Sequence, residues 1–181
     1  TMGAVIGHKG MVGLRTVVRG YEAHSSQTHR GVSAVMTAAR LVSHLESVAQ
    51  DLAKKTPSDN GFEPHYTSVH VGVIHGGTAL NIISGECEFI WDIRNIPGDD
   101  PQLLIDLFEQ FCRDEVLPGM RARYERCAID TQVLARSPAF DESASPILSL
   151  VQSLIGSDDT ARVAYGTEAG QYQGAGFPTV L

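Results

Sequence analysis

Between Glu86 and Arg94 the chain alternates so regularly that it demands a sheet with two unlike faces. Cys87, Phe89, Trp91 and Ile93 fall on one side, and Glu86, Glu88, Asp92 and Arg94 on the other. One apolar and one charged face suit an antiparallel sheet covered on a single side, since parallel sheets are buried on both. The flanking pattern supplies partners. Residues 11–20 are rich in β-branched residues and close at Gly20, and Val69, Val71 and Val73 alternate with Ser68, His70 and Gly72. A fourth strand is expected around Arg121–Val133.

Two helices separate these strands. Apolar residues recur at Val35, Ala39, Val42, Leu45, Ala49 and Leu52, and the run ends at Lys54-Lys55 before Pro57. Asp100 as N-cap and Pro101 at the first helical position announce the next helix, with a stripe at Leu103, Leu104, Leu107, Phe108, Phe111 and Cys112. Pro118-Gly119 is expected to close it. The order β-α-β-β-α-β predicts an α+β unit, a four-stranded antiparallel sheet with two helices on one face.

Beyond Leu134 the pattern changes. Ser137–Glu142 reads as a linker, and Ser145-Pro146 as the start of a helix with its stripe at Ile147, Leu150, Val151 and Leu154. A strand over Arg162–Tyr165, a helix near Thr167–Gln173 and a strand over Phe177–Leu181 then imply part of a parallel α/β sheet. The expected division is 9–132 for the first unit and 133–181 for the second. Because the chain stops on an apolar, strand-like run, the second unit is expected to be a truncated part of a larger domain.

Charge and cysteine content narrow the function classes. The formal net charge is −7, and no Lys/Arg run exceeds the pair Lys54-Lys55, which argues against nucleic acid as partner. Three widely spaced cysteines, Cys87, Cys112 and Cys127, do not make a disulfide framework. No apolar run approaches the ~20 residues that span a bilayer, and no basic-then-apolar leader opens the chain. A cytoplasmic protein without a membrane partner is the expectation.

Seven histidines invite a metal reading, but the chain holds no H-x-D, no H-E-x-x-H and no adjacent Glu pair. Other residues suit chemistry. His24 lies in a loop between strand and helix, where an imidazole can donate to a developing oxyanion, although its spacing favours a cap for local backbone. Asn81 follows paired glycines and offers an amide to a ligand or to the turn itself. Arg94 could grip a carboxylate bidentately or pair with a neighbouring acid. Thr167 and Glu168 stand where a parallel strand turns into a helix, a place where ligands collect in open α/β sheets, yet Thr167 also suits an N-cap.

Four segments in this order carry a resemblance: His8-Lys-Gly10, Gly20-Tyr-Glu-Ala-His-Ser-Ser26, Gly76-Gly-Thr-Ala-Leu-Asn81 with Asp92-Ile-Arg94, and Tyr165-Gly-Thr-Glu-Ala-Gly170. Together they resemble the acetylornithine deacetylases, within the co-catalytic zinc amidohydrolases and peptidases that include succinyl-diaminopimelate desuccinylase and glutamate carboxypeptidase. The resemblance implies a lid and dimerisation domain over 9–132 and part of a catalytic domain over 133–181. It implies a homodimer and a small N-acyl amino acid substrate. N-acetyl-L-ornithine would be hydrolysed to ornithine and acetate in arginine biosynthesis.

The same resemblance assigns His24 as an oxyanion donor acting in the partner subunit's site, and Asn81, Arg94, Thr167 and Glu168 as substrate-binding. The intact enzyme would use two zinc ions, with cobalt able to substitute. None of the family's metal motifs falls in this chain, so no metal ligand is expected here and the chain alone should be inactive. The rival expectation is a stand-alone α+β dimerisation or small-ligand regulatory module.

Overall fold

The computed structural model describes residues 3–181. In chain order its elements are β1 (Ala4–His8), β2 (Met11–Arg19), β3 (Ala23–His24), α1 (Ala34–Lys55), β4 (Ser68–Gly76), β5 (Ile82–Ile83) and β6 (Glu86–Arg94). Then come α2 (Pro101–Phe111), α3 (Leu117–Arg121), β7 (Ala128–Ser137), β8 (Phe140–Asp141), α4 (Leu148–Ile155), β9 (Thr160–Val163) and α5 (Ala169–Gly174).

The main sheet is four-stranded and antiparallel, in the order β4-β6-β2-β7. Its covered face carries Val12, Leu14, Val18, Cys87, Phe89, Trp91 and Ile93, all buried with Ala34, Ala38, Leu41 and Leu45 of α1 and Ile105 and Phe108 of α2. Both helices therefore pack on one face. Trp91 completes its packing by donating from Nε1 to Thr16 Oγ1 at 3.0 Å, so the polar end of a large buried ring is satisfied. The opposite face is charged and bears the ion pairs Arg15–Glu88 and Arg19–Asp130.

Local signals explain the helix ends. Ser33 Oγ accepts from Met36 N at 3.2 Å at the start of α1, and Asp100 Oδ1 accepts from Gln102 N at 2.8 Å at the start of α2. The helical stripes differ from expectation in phase. In α1 the buried set is Ala34, Ala38, Leu41 and Leu45, with Val35 and Val42 at its margin and Ala39 exposed. In α2 Leu103 and Leu107 are exposed, because the buried row runs through Ile105, Phe108 and Cys112.

Pro118-Gly119 does not end the helical run. One π-helical turn over Cys112–Val116 intervenes, and α3 then takes Pro118 in its first turn, where a missing N–H costs nothing. The turn keeps Val116 and Met120 on the buried side. The fourth strand consequently starts later than expected, at Ala128, and runs through Ser137, with residues 121–127 spent on the helix end and a turn.

The second sheet has the order β8-β1-β9, with β1 antiparallel to β8 and parallel to β9. Two expectations change here. The supposed linker contributes strand β8, whose Phe140 is fully buried against the His8 ring. Residues 177–181 form no strand, although Leu181 exchanges backbone hydrogen bonds with Val5 at 2.7 and 3.1 Å. The expected strand at Arg162–Tyr165 lies at Thr160–Val163, and the last two helices start at Leu148 and Ala169. Among the described residues no helix is long and apolar enough to cross a membrane.

Candidate functional site

The loop that carries His24 leaves β2 at Gly20, where an added Cβ would stand 2.0 Å from Val32 O, so only glycine permits the approach. Tyr21 and Val32 then exchange backbone hydrogen bonds and close the base of the loop. At its tip, β3 pairs with β5 through Ala23–Ile83 and His24–Ile82, and Ser25 N donates to Asn81 O at 2.8 Å. His24 and Asn81, 57 residues apart in sequence, are thereby brought side by side, both exposed.

His24 does act as a local cap. Its Nδ1 accepts from Ser26 N at 3.2 Å and lies 2.7 Å from Ser26 Oγ. A backbone N–H can only donate, so Nδ1 is the acceptor and the neutral ring keeps its proton on Nε2. The capping and donor roles are thus compatible. The cap turns Nε2–H into a fixed donor on the exposed side of the loop.

Asn81 ends a segment in which Gly77 takes φ +84° and Leu80 is wholly exposed. An 820 Å³ groove runs beside it, bounded among others by Ser25, Thr28, Met36, Leu80 and Arg123. Arg123 reaches into the His24 loop and donates from Nη2 to Thr28 O and Gly31 O. Nothing in the sequence marks this residue, because its contacts are with backbone more than ninety positions away.

Arg94 stands at the other end of the main sheet. Eight steps along β6 separate it from Glu86, which at ~3.3 Å per residue is about 26 Å. There it faces Ser68 across the ladder, and its Nε donates to Asp92 Oδ2 at 2.7 Å. Its two Nη nitrogens make no hydrogen bond among the described residues, so the outer fork of the guanidinium remains available to a carboxylate. Thr167 and Glu168 belong to this same end. Met11 pairs with Ser137 where β2 begins, and Ser137 Oγ donates to Thr167 O at 3.3 Å. Thr167 Oγ1 accepts from Ala169 N at 3.1 Å, while the exposed Glu168 occupies the helix boundary. Two groups result, His24 with Asn81 at one end of the sheet, and Arg94, Thr167 and Glu168 toward the other.

The model of the M20 peptidase dimerisation domain matches residues 6–120. The chain belongs to that family. The M20 chain is 34% identical over 178 residues to an acetylornithine deacetylase of Myxococcus xanthus, covering 96% of its own length and 44% of the relative's. It is 32% identical over 164 residues to the acetylornithine deacetylase of Aliivibrio fischeri strain MJ11, covering 90% of itself and 42% of that protein. It therefore spans less than half the length of these relatives. Among solved structures, the aminopeptidase PepT of Bacillus cereus matches with a TM-score of 0.73 at 19% identity, over 98% of this chain and 44% of that one. A Staphylococcus aureus tripeptidase follows at a TM-score of 0.68, 20% identity, and 98% and 44% coverage. These two likenesses concern the fold.

No group of three or more His, Cys, Asp or Glu side chains among the described residues could hold a metal ion.

Proposed function

We propose that residues 9–132 are the dimerising lid, and residues 133–181 part of the catalytic body, of a cytoplasmic amidohydrolase. Its substrate is N-acetyl-L-ornithine, cleaved to ornithine and acetate in arginine biosynthesis. The named relatives support the substrate, and the dimerisation domain supports a homodimer. In this reading two zinc ions are held by parts of the protein outside this chain, and the chain alone is inactive.

The observation that carries the proposal is the pairing of a capped His24 with Asn81, held far from Arg94. When water adds to the acetyl carbonyl, negative charge grows on its oxygen. His24 Nε2–H, fixed by Ser26, is a ready donor to that oxygen, and Asn81 is held just ahead of the neighbouring strand by the bond from Ser25 N to its backbone carbonyl. Arg94 offers its free fork to the substrate's α-carboxylate. The exposed Glu168 carboxylate suits the cationic side chain of ornithine. Because the two groups lie at opposite ends of a ladder about 26 Å long, one small substrate cannot touch both within a subunit. A homodimer resolves this by placing His24 and Asn81 of one subunit in the site that contains Arg94 of the other.

His24→Ala in the full-length enzyme tests the role. A donor used mainly in the transition state should affect kcat far more than KM, so kcat should fall about 10²–10³-fold with bound zinc unchanged. A variant with normal kcat, or one that lost its zinc, would defeat the assignment.

A further inference from the structure

We infer that Arg123 and Tyr124 are positioning residues that hold the His24 loop in its working shape. The inference rests on the reading of His24 as an oxyanion donor. From His24 to Arg30 the loop buries no residue, so packing does not fix its course. Its internal contacts are short-range: His24 with Ser26, and Arg30 Nη1 donating to Gln27 Oε1 at 3.1 Å. These shape the turn without tying it to the body of the domain. The two-residue β3–β5 ladder ties only the near side, through the half-buried Ile82 and Ile83.

The turn after α3 supplies the missing ties. Arg123 Nη2 donates to Thr28 O and Gly31 O, two carbonyls at the far end of the helical turn that begins at Ser25. Carbonyls at such an end have no helical partner of their own, and a guanidinium satisfies two at once where an ammonium meets them only as a point charge. The next residue, Tyr124, stacks on Tyr21 with ring centroids 4.2 Å apart and planes inclined by 23°. Adjacent residues of one turn thus brace the loop at both ends, on either side of His24. The turn itself is anchored in the core by Met120 and Cys127, each at most 5% exposed. Through this contact the packed interior of the lid sets the direction of an exposed imidazole.

Loss of the brace should cost rate and leave binding alone. In the full-length enzyme, Arg123→Ala should lower kcat roughly 10- to 100-fold, as a misplacement of about 1 Å does, with KM within about twofold of the parent. Arg123→Lys should recover part of the loss, and Arg126→Ala, at an exposed neighbour, should keep the parent kcat. The double variant His24→Ala/Arg123→Ala should be no slower than His24→Ala, because the brace then has no donor to place. Amide hydrogen exchange in residues 21–31 of Arg123→Ala should quicken while β2 and β6 keep their protection.

Multiplying rate losses in the double variant, or unchanged exchange in the loop, would overturn the inference. If His24→Ala alone kept full activity while Arg123→Ala quickened exchange, the catalytic reading of His24 would fall and the brace would stand as a purely structural feature.

Discussion

Lys9 carries its ammonium into a place where only 1% of the residue is exposed. One hydrogen bond is on offer there, from Nζ to Tyr66 O at 2.6 Å, with the Tyr66 ring 5.8 Å away. Burial lowers the Lys9 pKa from its usual 10.5, and the Glu63 carboxylate only partly offsets this. The unfolded chain then holds the proton more tightly than the folded one, so this residue adds stability as pH rises through the window that ends near 10.5. Lys9→Met should remove that gain. The stability difference, parent minus Lys9→Met, should increase between pH 8 and pH 11 when thermal unfolding midpoints are compared; a flat difference would show that the ammonium is not desolvated. Neighbouring His8 also serves the junction of the two sheets. Its Nδ1 donates to Lys9 O at 2.9 Å, and its Nε2 is buried with no partner among the described residues. The His8-Lys-Gly10 motif is legible in the sequence, but its role as the buried crossing between sheets is not, because nothing local requires a lysine to be covered.

The elements differ in how openly the sequence declares them. β6 was readable to the residue, since its alternation encodes both its length and its covered face. α2 was readable at its start, where Asp100 and Pro101 act locally, and misread at its end, where a π turn lets the run pass Pro118. The two edge strands of the main sheet contrast in a way that bears on assembly. Both strands carry an irregularity and exposed apolar residues, but β7 also carries Asp130 and Arg136, whereas β4 has no Asp, Glu, Lys or Arg in its nine residues and leaves Val73 and Ile74 40% and 49% exposed. Unguarded edges pair with other chains. β4 is therefore the expected dimer seam, and Val73→Lys/Ile74→Lys should turn the full-length dimer into monomer in sedimentation experiments. Val133→Lys/Leu134→Lys on β7 should leave the dimer intact, and the reverse pattern would move the seam to β7.

For the whole molecule, the separation of His24 from Arg94 gives the most direct test of a shared site. His24→Ala and Arg94→Ala homodimers should each be nearly inactive. Mixed and re-equilibrated, they should recover activity approaching one quarter of the parent's, since half of randomly paired dimers are hybrids and each hybrid holds one site with both residues intact. Recovery no greater than the sum of the two parents would mean that both residues work within one subunit. The sequence by itself determined the order of the main strands and helices, the covered face of β6 and the residue types available for chemistry, though not where the second helical run ends or the fourth strand begins. Those depend on side-chain alternation, caps and turns, which act over a few positions along the chain. Only the tertiary structure decided that β1, β8 and β9 share a sheet, that Asn81 stands beside His24, and that Arg123 holds the loop they belong to. Each of these joins segments tens of residues apart, and which remote segments meet depends on the burial and hydrogen bonding that repay the entropy of closing the long loops between them.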